Sequence, residues 1–340
     1  MLHFAASRLI SALVTAVLVA SLVFVSLRLI PGDPATSIAG PEATPGQIEH
    51  IRQSLRLDDP LVIQYGRFLA DLGRLDFGTS IRNGQPVLAE LKDRLPATLE
   101  LTLSALLLVI LVSIPLGSIA AIRRGSPFDH IARLATLVGV GMPVVWSGLL
   151  IAWLFAYELR LLPGSGRLDV TLRVEPITGF VIVDSLLRRQ PDIALNALAH
   201  LVLPAVVLAL PGLAIATSLM RGSLLQVLGN DYVRTARAKG LRERDVIVHH
   251  ALKNALNPVV TLFGLQLVAL LSGAILVENI FAWPGLGRYV FTAIQVRDYP
   301  VVQGTVLLIA LVYVAVNTII DLAYAVLDPR IRLPASEVRP

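Results

Sequence analysis

Six stretches of 19 to 28 residues contain no Asp, Glu, Lys or Arg: 9–27, 101–122, 134–157, 193–220, 254–277 and 299–320. An apolar helix needs about 20 residues to cross the hydrocarbon core of a bilayer, so each stretch is long enough to span one. Only 16% of the residues are charged, against about a quarter in a soluble domain, and 55% are hydrophobic. The 340 residues therefore read as an all-α polytopic membrane protein with six transmembrane helices.

Charge sets the orientation. The segments 1–8, 123–133, 221–253 and 328–340 together hold 14 Lys/Arg against 6 Asp/Glu, while the segments on the other face are near balance. Basic residues collect in short cytoplasmic loops, so both termini are expected in the cytoplasm. The formal net charge of +5 thus reflects topology, and no nucleic-acid partner is expected. With no cysteine in the chain, disulfides and thiolate metal sites are excluded. The first apolar run is too long for a signal-peptide core and lacks a small-residue cleavage pattern, so residues 1–30 are expected to form an uncleaved first transmembrane helix.

Residues 31–96 form the longest polar segment and are expected to be a small extracytoplasmic helical subdomain. Thr44 and Gln47 have capping-box spacing, with Pro45 at the first helical position. Asp59 and Pro60 open a second helix that ends at Gly73, and residues 76–80 read as a turn. Val87, Leu88, Leu91 and Leu95 suggest a third amphipathic helix that stops before Pro96; a lipid-facing role for these helices is the weaker alternative to packing. Beyond it, residues 97–327 are expected to hold five transmembrane helices, with a cytoplasmic loop at 221–257, and 328–340 to be a cytoplasmic tail. Gly139, Gly141 and Pro143 read as ordinary helix packing in the third span. Outside loops are expected at 158–192 and around 278–288, the latter with aromatic anchors.

The most charged segment is Asp231–Asp245, set between two of the uncharged runs. Asp231 can N-cap a short helix over 232–239, and Gly240 can end it in a left-handed conformation. A second helical pattern follows through Val246, His249 and Leu252. The basic residues Arg234, Arg237 and Lys239 fit a topology-setting surface or a docking element. In the helix after it, Asn257, Thr261, Gly264 and Ser272 fall on one stripe, with Gln266 opposite. Such a stripe lines a water-filled path or packs helix on helix, and spacing alone leaves both open.

The chain lacks the machinery of an autonomous enzyme or pump. No P-loop can be built, because the only lysines are Lys92, Lys239 and Lys253 and none follows the required glycines. His249 and His250 are adjacent and point apart on a helix, a poor arrangement for a metal. Glu100, at a predicted helix edge, is the nearest approach to an intramembrane carboxylate of the kind that ion-coupled carriers keep.

Seven strings then carry a resemblance across nearly the whole chain: RLIPGDPA from Arg28, QYGRF from Gln64, DFGTS from Asp76, RLPAT from Arg94, DYVRTARAKG from Asp231, ENIFAWPGLG from Glu278 and LDPR from Leu327. In this order and spacing the chain resembles the B-type permease subunit of dipeptide/oligopeptide ABC importers. The resemblance implies a type I ABC importer permease fold in a bacterial or archaeal cytoplasmic membrane. It implies no catalytic residue and no cofactor bound by this chain, ATP and Mg2+ being used by two partner ATPase subunits. It also implies a second, C-type permease and an extracytoplasmic substrate-binding protein. By the same resemblance, Asp231, Tyr232, Arg234, Thr235, Ala236, Arg237, Lys239, Gly240, Leu241 and Asp245 form the loop whose short coupling helix fits the ATPase. Counting back from Gly240, the loop's Glu-Ala-Ala positions fall on Arg234, Thr235 and Ala236, so only Ala236 and Gly240 match.

Overall fold

A computed structural model describes residues 2–29, 35–36, 43–54 and 58–327, and among these only the backbone at 2–9, 12, 27–29, 51, 54, 319 and 321–327. The expected tail 328–340, and residues 31–34, 37–42 and 55–57 of the expected subdomain 31–96, lie outside the described residues. Among the described residues the chain is helical, and extended pairing is limited to one isolated antiparallel bridge between Thr79 and Pro86. The helices are α1 (Leu2–Leu29), α2 (Pro45–Ser54), α3 (Leu61–Gly73), α4 (Val87–Ile122), α5 (Pro127–Gly141), α6 (Val144–Glu158), α7 (Val181–Leu187), α8 (Pro191–Leu228), α9 (Asp231–Ala238), α10 (Glu243–Ile280), α11 (Leu286–Gln295) and α12 (Tyr299–Leu327).

Four helices are long and apolar enough to cross a membrane: α4, α8, α10 and the Tyr299–Thr318 part of α12. The third apolar run is not one straight helix. It breaks into α5 and α6, bent by 108°, so the described residues hold four spans, or five if the bent pair is one span. The break is local in origin. Met142 adopts φ −85° and ψ 126°, an extended conformation that the ring of Pro143 favours in the residue before it. Gly141 and Pro143, read from sequence as packing residues, thus mark a corner. α1 contributes a shorter apolar segment, Leu13–Ser26.

The chain divides into two compact units, Met1–Leu95 with Tyr289–Pro340, and Pro96–Arg288. In the first, α1 packs along α12 and against α3. Tyr65 and Phe68 of α3 meet Phe24 of α1 at ring-centroid distances of 5.2 and 5.4 Å. The capping box forms as expected: the Thr44 amide donates to Gln47 Oε1 at 2.9 Å, and the Gln47 amide to Thr44 Oγ1 at 3.4 Å. The turn at 76–80 is built on Gly78, whose φ of +76° suits glycine and whose amide donates to Asp76 Oδ1. Below the turn, Ser80 Oγ donates to the buried carboxylate of Asp298 at 2.6 Å.

The expected third amphipathic helix does not stop at Pro96. α4 runs from Val87 through Pro96 and Pro115 to Ile122. An interior proline removes one helix hydrogen bond, a loss that surrounding packing can offset. The ring of Pro96 fills the space over Gly179, where any Cβ would crowd it at 2.7 Å.

In the second unit α8 is the central helix, packed on α5, α6, α7 and α10. Close approach depends on small residues. A Cβ on Gly117 of α4 would lie 2.7 Å from the Thr217 carbonyl and 2.8 Å from Met220 Cβ. Gly212 makes room for Gln266, which is buried, so the residue opposite the polar stripe of α10 faces the core.

Candidate functional site

The charged segment folds as a small platform after α8. α9 spans Asp231–Ala238, eight residues or about two turns. Asp231 does not cap it. The capping position is Asn230, which makes no side-chain capping bond, and Asp231 is the first helical residue, where its charge still suits the helix dipole. Gly240 ends the helix as expected: its φ is +77° and its amide donates to the Arg237 carbonyl at 2.9 Å.

The sequence pattern does not sort these residues by face, and the structure does. Val233, Ala236 and Val246 are buried together in a small apolar cluster with Val227 and Leu228 at the end of α8. Tyr232, Arg234, Thr235, Arg237, Lys239, Gly240 and Leu241 are exposed, and Asp245 is half-buried. Arg237 forms a two-pronged pair with Glu243, at 3.1 and 2.6 Å, bridging the glycine corner between α9 and α10. The hydrogen-bonded Glu243 carboxylate holds the Arg237 guanidinium above its ordinary pKa, against the opposing effect of burial. Asp231 and Arg234 pair at 3.1 Å on the open surface. The exposed face therefore presents positive charge, a tyrosine and a leucine on a stiff support.

One contact ties α9 to α10, and two more tie α8, which carries it, to its neighbours. Tyr232 Oη accepts from Asn254 Nδ2 at 2.8 Å, and Ser223 Oγ of α8 donates to the Ala255 carbonyl of α10 at 2.8 Å. On the other side Arg221 of α8 grips the fully buried carboxylate of Asp129, which also accepts from the Gly125 amide at 3.0 Å. Helix α10 starts at Glu243 and passes through a π-helical turn, Val246–Leu252, before the long apolar part. π turns are rare inside α-helices and recur at functional sites.

The stripe Asn257, Thr261 and Ser272 faces away from the chain's own core, with Gly264 half-buried between them. Thr261 and Ser272 hydroxyls donate back to the carbonyls of Asn257 and Val268, which tempers their polarity.

At the opposite end of the second unit the structure revises two expectations. Glu100 is not at a helix edge; it is buried inside α4, accepting from Arg167 Nε at 2.8 Å and from the Ile182 amide at 3.1 Å. A carboxylate already paired with Arg167 and bonded to a backbone amide is a poor relay. His200 is likewise satisfied, with Nδ1 2.9 Å from the Asn196 carbonyl oxygen. The aromatic residues of 278–288 are core rather than interfacial: Phe281 and Trp283 are fully buried, and Trp283 Nε1 donates to the Ala97 carbonyl at 2.8 Å. Beside them Glu278 is fully buried and accepts from Thr98 Oγ1 at 2.6 Å and the Arg288 amide at 3.0 Å. Neither this clasp nor the Asp129–Arg221 pair was visible in sequence, because no spacing rule links residues so far apart.

Residues 113–333 match the family described as binding-protein-dependent transport system inner membrane component, and residues 1–102 match the N-terminal part of such components. The chain is 46% identical over 309 residues to a probable D,D-dipeptide transport system permease protein of Escherichia coli strain K12, covering 91% of each chain. It is 43% identical over 336 residues to the dipeptide transport system permease protein of the same strain, covering 98% of this chain and 99% of that one. A di/tripeptide transport system permease protein of Pseudomonas aeruginosa is 44% identical over 333 residues, again 98% and 99% of the two chains.

Proposed function

Because the chain belongs to the family of inner membrane components of binding-protein-dependent transport systems, we propose that it is the permease subunit of an ABC importer for di- or oligopeptides, driven by ATPases that dock on α9. The peptide class is taken from the relatives, whose names specify dipeptides and di/tripeptides. The observation that carries the docking reading is the sorting of residues 231–245: an apolar underside seats the element on α8, while its charged upper face is left open.

In this reading six helices cross the cytoplasmic membrane with both termini inside, which the excess of basic residues in 1–8, 123–133, 221–253 and 328–340 supports. A C-type permease completes the pathway, an extracytoplasmic binding protein delivers the substrate, and two ATPase subunits hydrolyse ATP with Mg2+. Closure of the ATPase pair moves α9, and the ties at Arg221, Ser223 and Tyr232 carry the displacement into α5, α8 and α10. The stripe Asn257, Thr261, Gly264 and Ser272 is the proposed wall of the substrate path on this subunit.

The test uses charge on the open face. Arg234→Glu and Lys239→Glu alter exposed residues and leave the Val233–Ala236–Val246 cluster intact. Both variants are expected to reach the membrane in normal amount, to lose the ATPases on affinity purification and to lose uptake. Normal recovery of the ATPases with both variants overturns the docking reading. Uptake by vesicles containing this chain alone, without ATPases, overturns the importer reading. Enlarging Ala236 does not separate these outcomes, since its side chain is buried and a bulky residue there disrupts the platform itself.

A further inference from the structure

Helix α3 carries more apolar surface than its own unit covers. Its aromatic side chains turn toward α1: Tyr65 and Phe68 each meet the ring of Phe24, and the hydroxyls of Tyr65 and Ser21 lie 2.6 Å apart. Ser21 is six residues before the end of the uncharged run 9–27, about 9 Å inside it at 1.5 Å per residue. α1 packs along α12, itself long and apolar enough to cross a membrane. A helix that touches α1 at this depth lies at the edge of the hydrocarbon.

The remaining surface of α3 is suited to that position. Val62 is 81% exposed, about a quarter-turn around the helix from the aromatic contacts, and Ile63, 47% exposed, lies opposite them. Gln64, Arg67 and Asp71 fall together at positions i, i+3 and i+7, so the polar residues form one narrow stripe and the apolar arc is wide. Arg67 is paired there with Asp59. Leu18 and Leu22, which flank Ser21 on α1, are exposed as well, at 59% and 65%. Protein interfaces are anchored by aromatic side chains and arginine, and both aromatics of α3 are engaged with Phe24, leaving an aliphatic face outside.

We propose that α3 is an interfacial helix bedded in the outer leaflet, with Val62 and Ile63 among the acyl chains and Asp71 turned to the headgroups and water. The inference rests on the reading of α1 as a spanning helix with its N-terminus inside. It gives the segment 61–73 a partner, the lipid surface, that fixes its height relative to the membrane plane.

The absence of cysteine makes the test direct. Single variants Val62→Cys, Asp71→Cys and Leu22→Cys, each in the full chain assembled with its partners in phospholipid vesicles, are spin-labelled and exposed to oxygen or to a water-soluble nickel chelate. The Val62→Cys label is expected to be relaxed several-fold more by oxygen than by nickel, and Asp71→Cys the reverse. A Val62→Cys label as open to nickel as Asp71→Cys places α3 in water, and one shielded from both reagents places a protein over it. Either result overturns the proposal. The Leu22→Cys label on α1 separates the premise from the inference: nickel access there overturns the spanning reading itself, whereas oxygen access at Leu22→Cys with nickel access at Val62→Cys overturns only the interfacial helix.

Discussion

Asp129 and Arg221 are joined by two hydrogen bonds, Nε to Oδ1 at 2.6 Å and Nη2 to Oδ2 at 2.9 Å, across 92 residues of chain. The carboxylate is fully buried, and the Gly125 amide and Arg133 also converge on it. Arg221 lies on α8 seven residues before its end, so the pair ties the start of α5 to the helix that leads into α9. Gly117 adds a backbone-to-backbone approach of α4 to the same stretch of α8.

Removing either charge strands the other in a buried site, and such truncations are among the more disruptive substitutions. Asp129→Asn and Arg221→Gln are each expected to reduce ATP-driven uptake, on the order of tenfold, while the ATPases remain bound. Because the two act as a unit, the double variant is expected to be no worse than the poorer single one. Uptake by reconstituted vesicles, beside recovery of the ATPases, checks both points. Additive losses in the double variant would show that the residues act independently.

The clasp around Glu278 yields a stability prediction. Its carboxylate accepts from Thr98 Oγ1 and the Arg288 amide, and Thr98 Oγ1 in turn accepts from the Leu286 amide at 2.8 Å. Gly285 and Gly287 have no room for a side chain, since a Cβ on Gly285 would overlap the carboxylate and one on Gly287 would overlap Ile275. Glu278→Ala leaves buried donors unsatisfied at about 1–3 kcal/mol each. Glu278→Ala and Gly285→Ala are both expected to lower the melting temperature of the purified chain markedly, and Arg288→Ala, which keeps the backbone donor, much less. Melting in detergent followed by tryptophan emission reports this well, because Trp283 is in the same cluster.

These two clusters also mark where sequence reading stopped. The apolar runs showed which segments are helical and membrane-sized, since hydrophobic length is a property of one segment at a time. Local devices were equally legible: the Thr44–Gln47 box and the left-handed Gly240 both depend on residues within four positions of each other. What was not legible is long-range pairing. Glu100, Glu278 and Asp129 look like isolated charges at the ends of apolar runs, and only the fold brings Arg167, Thr98 and Arg221 to them. Pro96 misled for the related reason that a helix can continue through a proline when tertiary packing holds it on both sides. Within Asp231–Asp245 the composition was readable, but the inward turn of Ala236 depends on Val246 across the Gly240 corner.

The loop before α8 makes a pH prediction. Burial acts to raise the pKa of Asp184, but the Thr178 hydroxyl and the amides of Thr178, Ile177 and Gly179 all donate to its carboxylate and hold it below the ordinary value. A carboxylate depressed in the folded state contributes stability that is fully present above its unfolded pKa, about 3.9, and is lost as pH falls through the folded value. The melting temperature of the wild-type chain is therefore expected to exceed that of Asp184→Asn by a constant margin from pH 5 to 7. The margin should shrink only below about pH 4. A margin that already declines between pH 7 and 5 would show that another group is responsible.

The stripe on α10 separates folding from transport. Asn257, Thr261 and Ser272 are exposed, whereas Gln266 on the opposite face is buried against Gly212. If the stripe lines the substrate path, making it apolar changes what passes without changing what folds. Asn257→Leu and Ser272→Leu are expected to leave the amount and melting temperature of the chain near wild type, because a membrane-facing or path-facing surface tolerates leucine. Gln266→Leu, which places a branched side chain against Gly212, is expected to lower stability. Peptide uptake should then fall several-fold in the stripe variants, with the dependence on peptide length altered between dipeptide and tripeptide. Unchanged uptake with both leucines present would instead assign the stripe to lipid or to helix packing, and the wall of the path to other faces of the second unit.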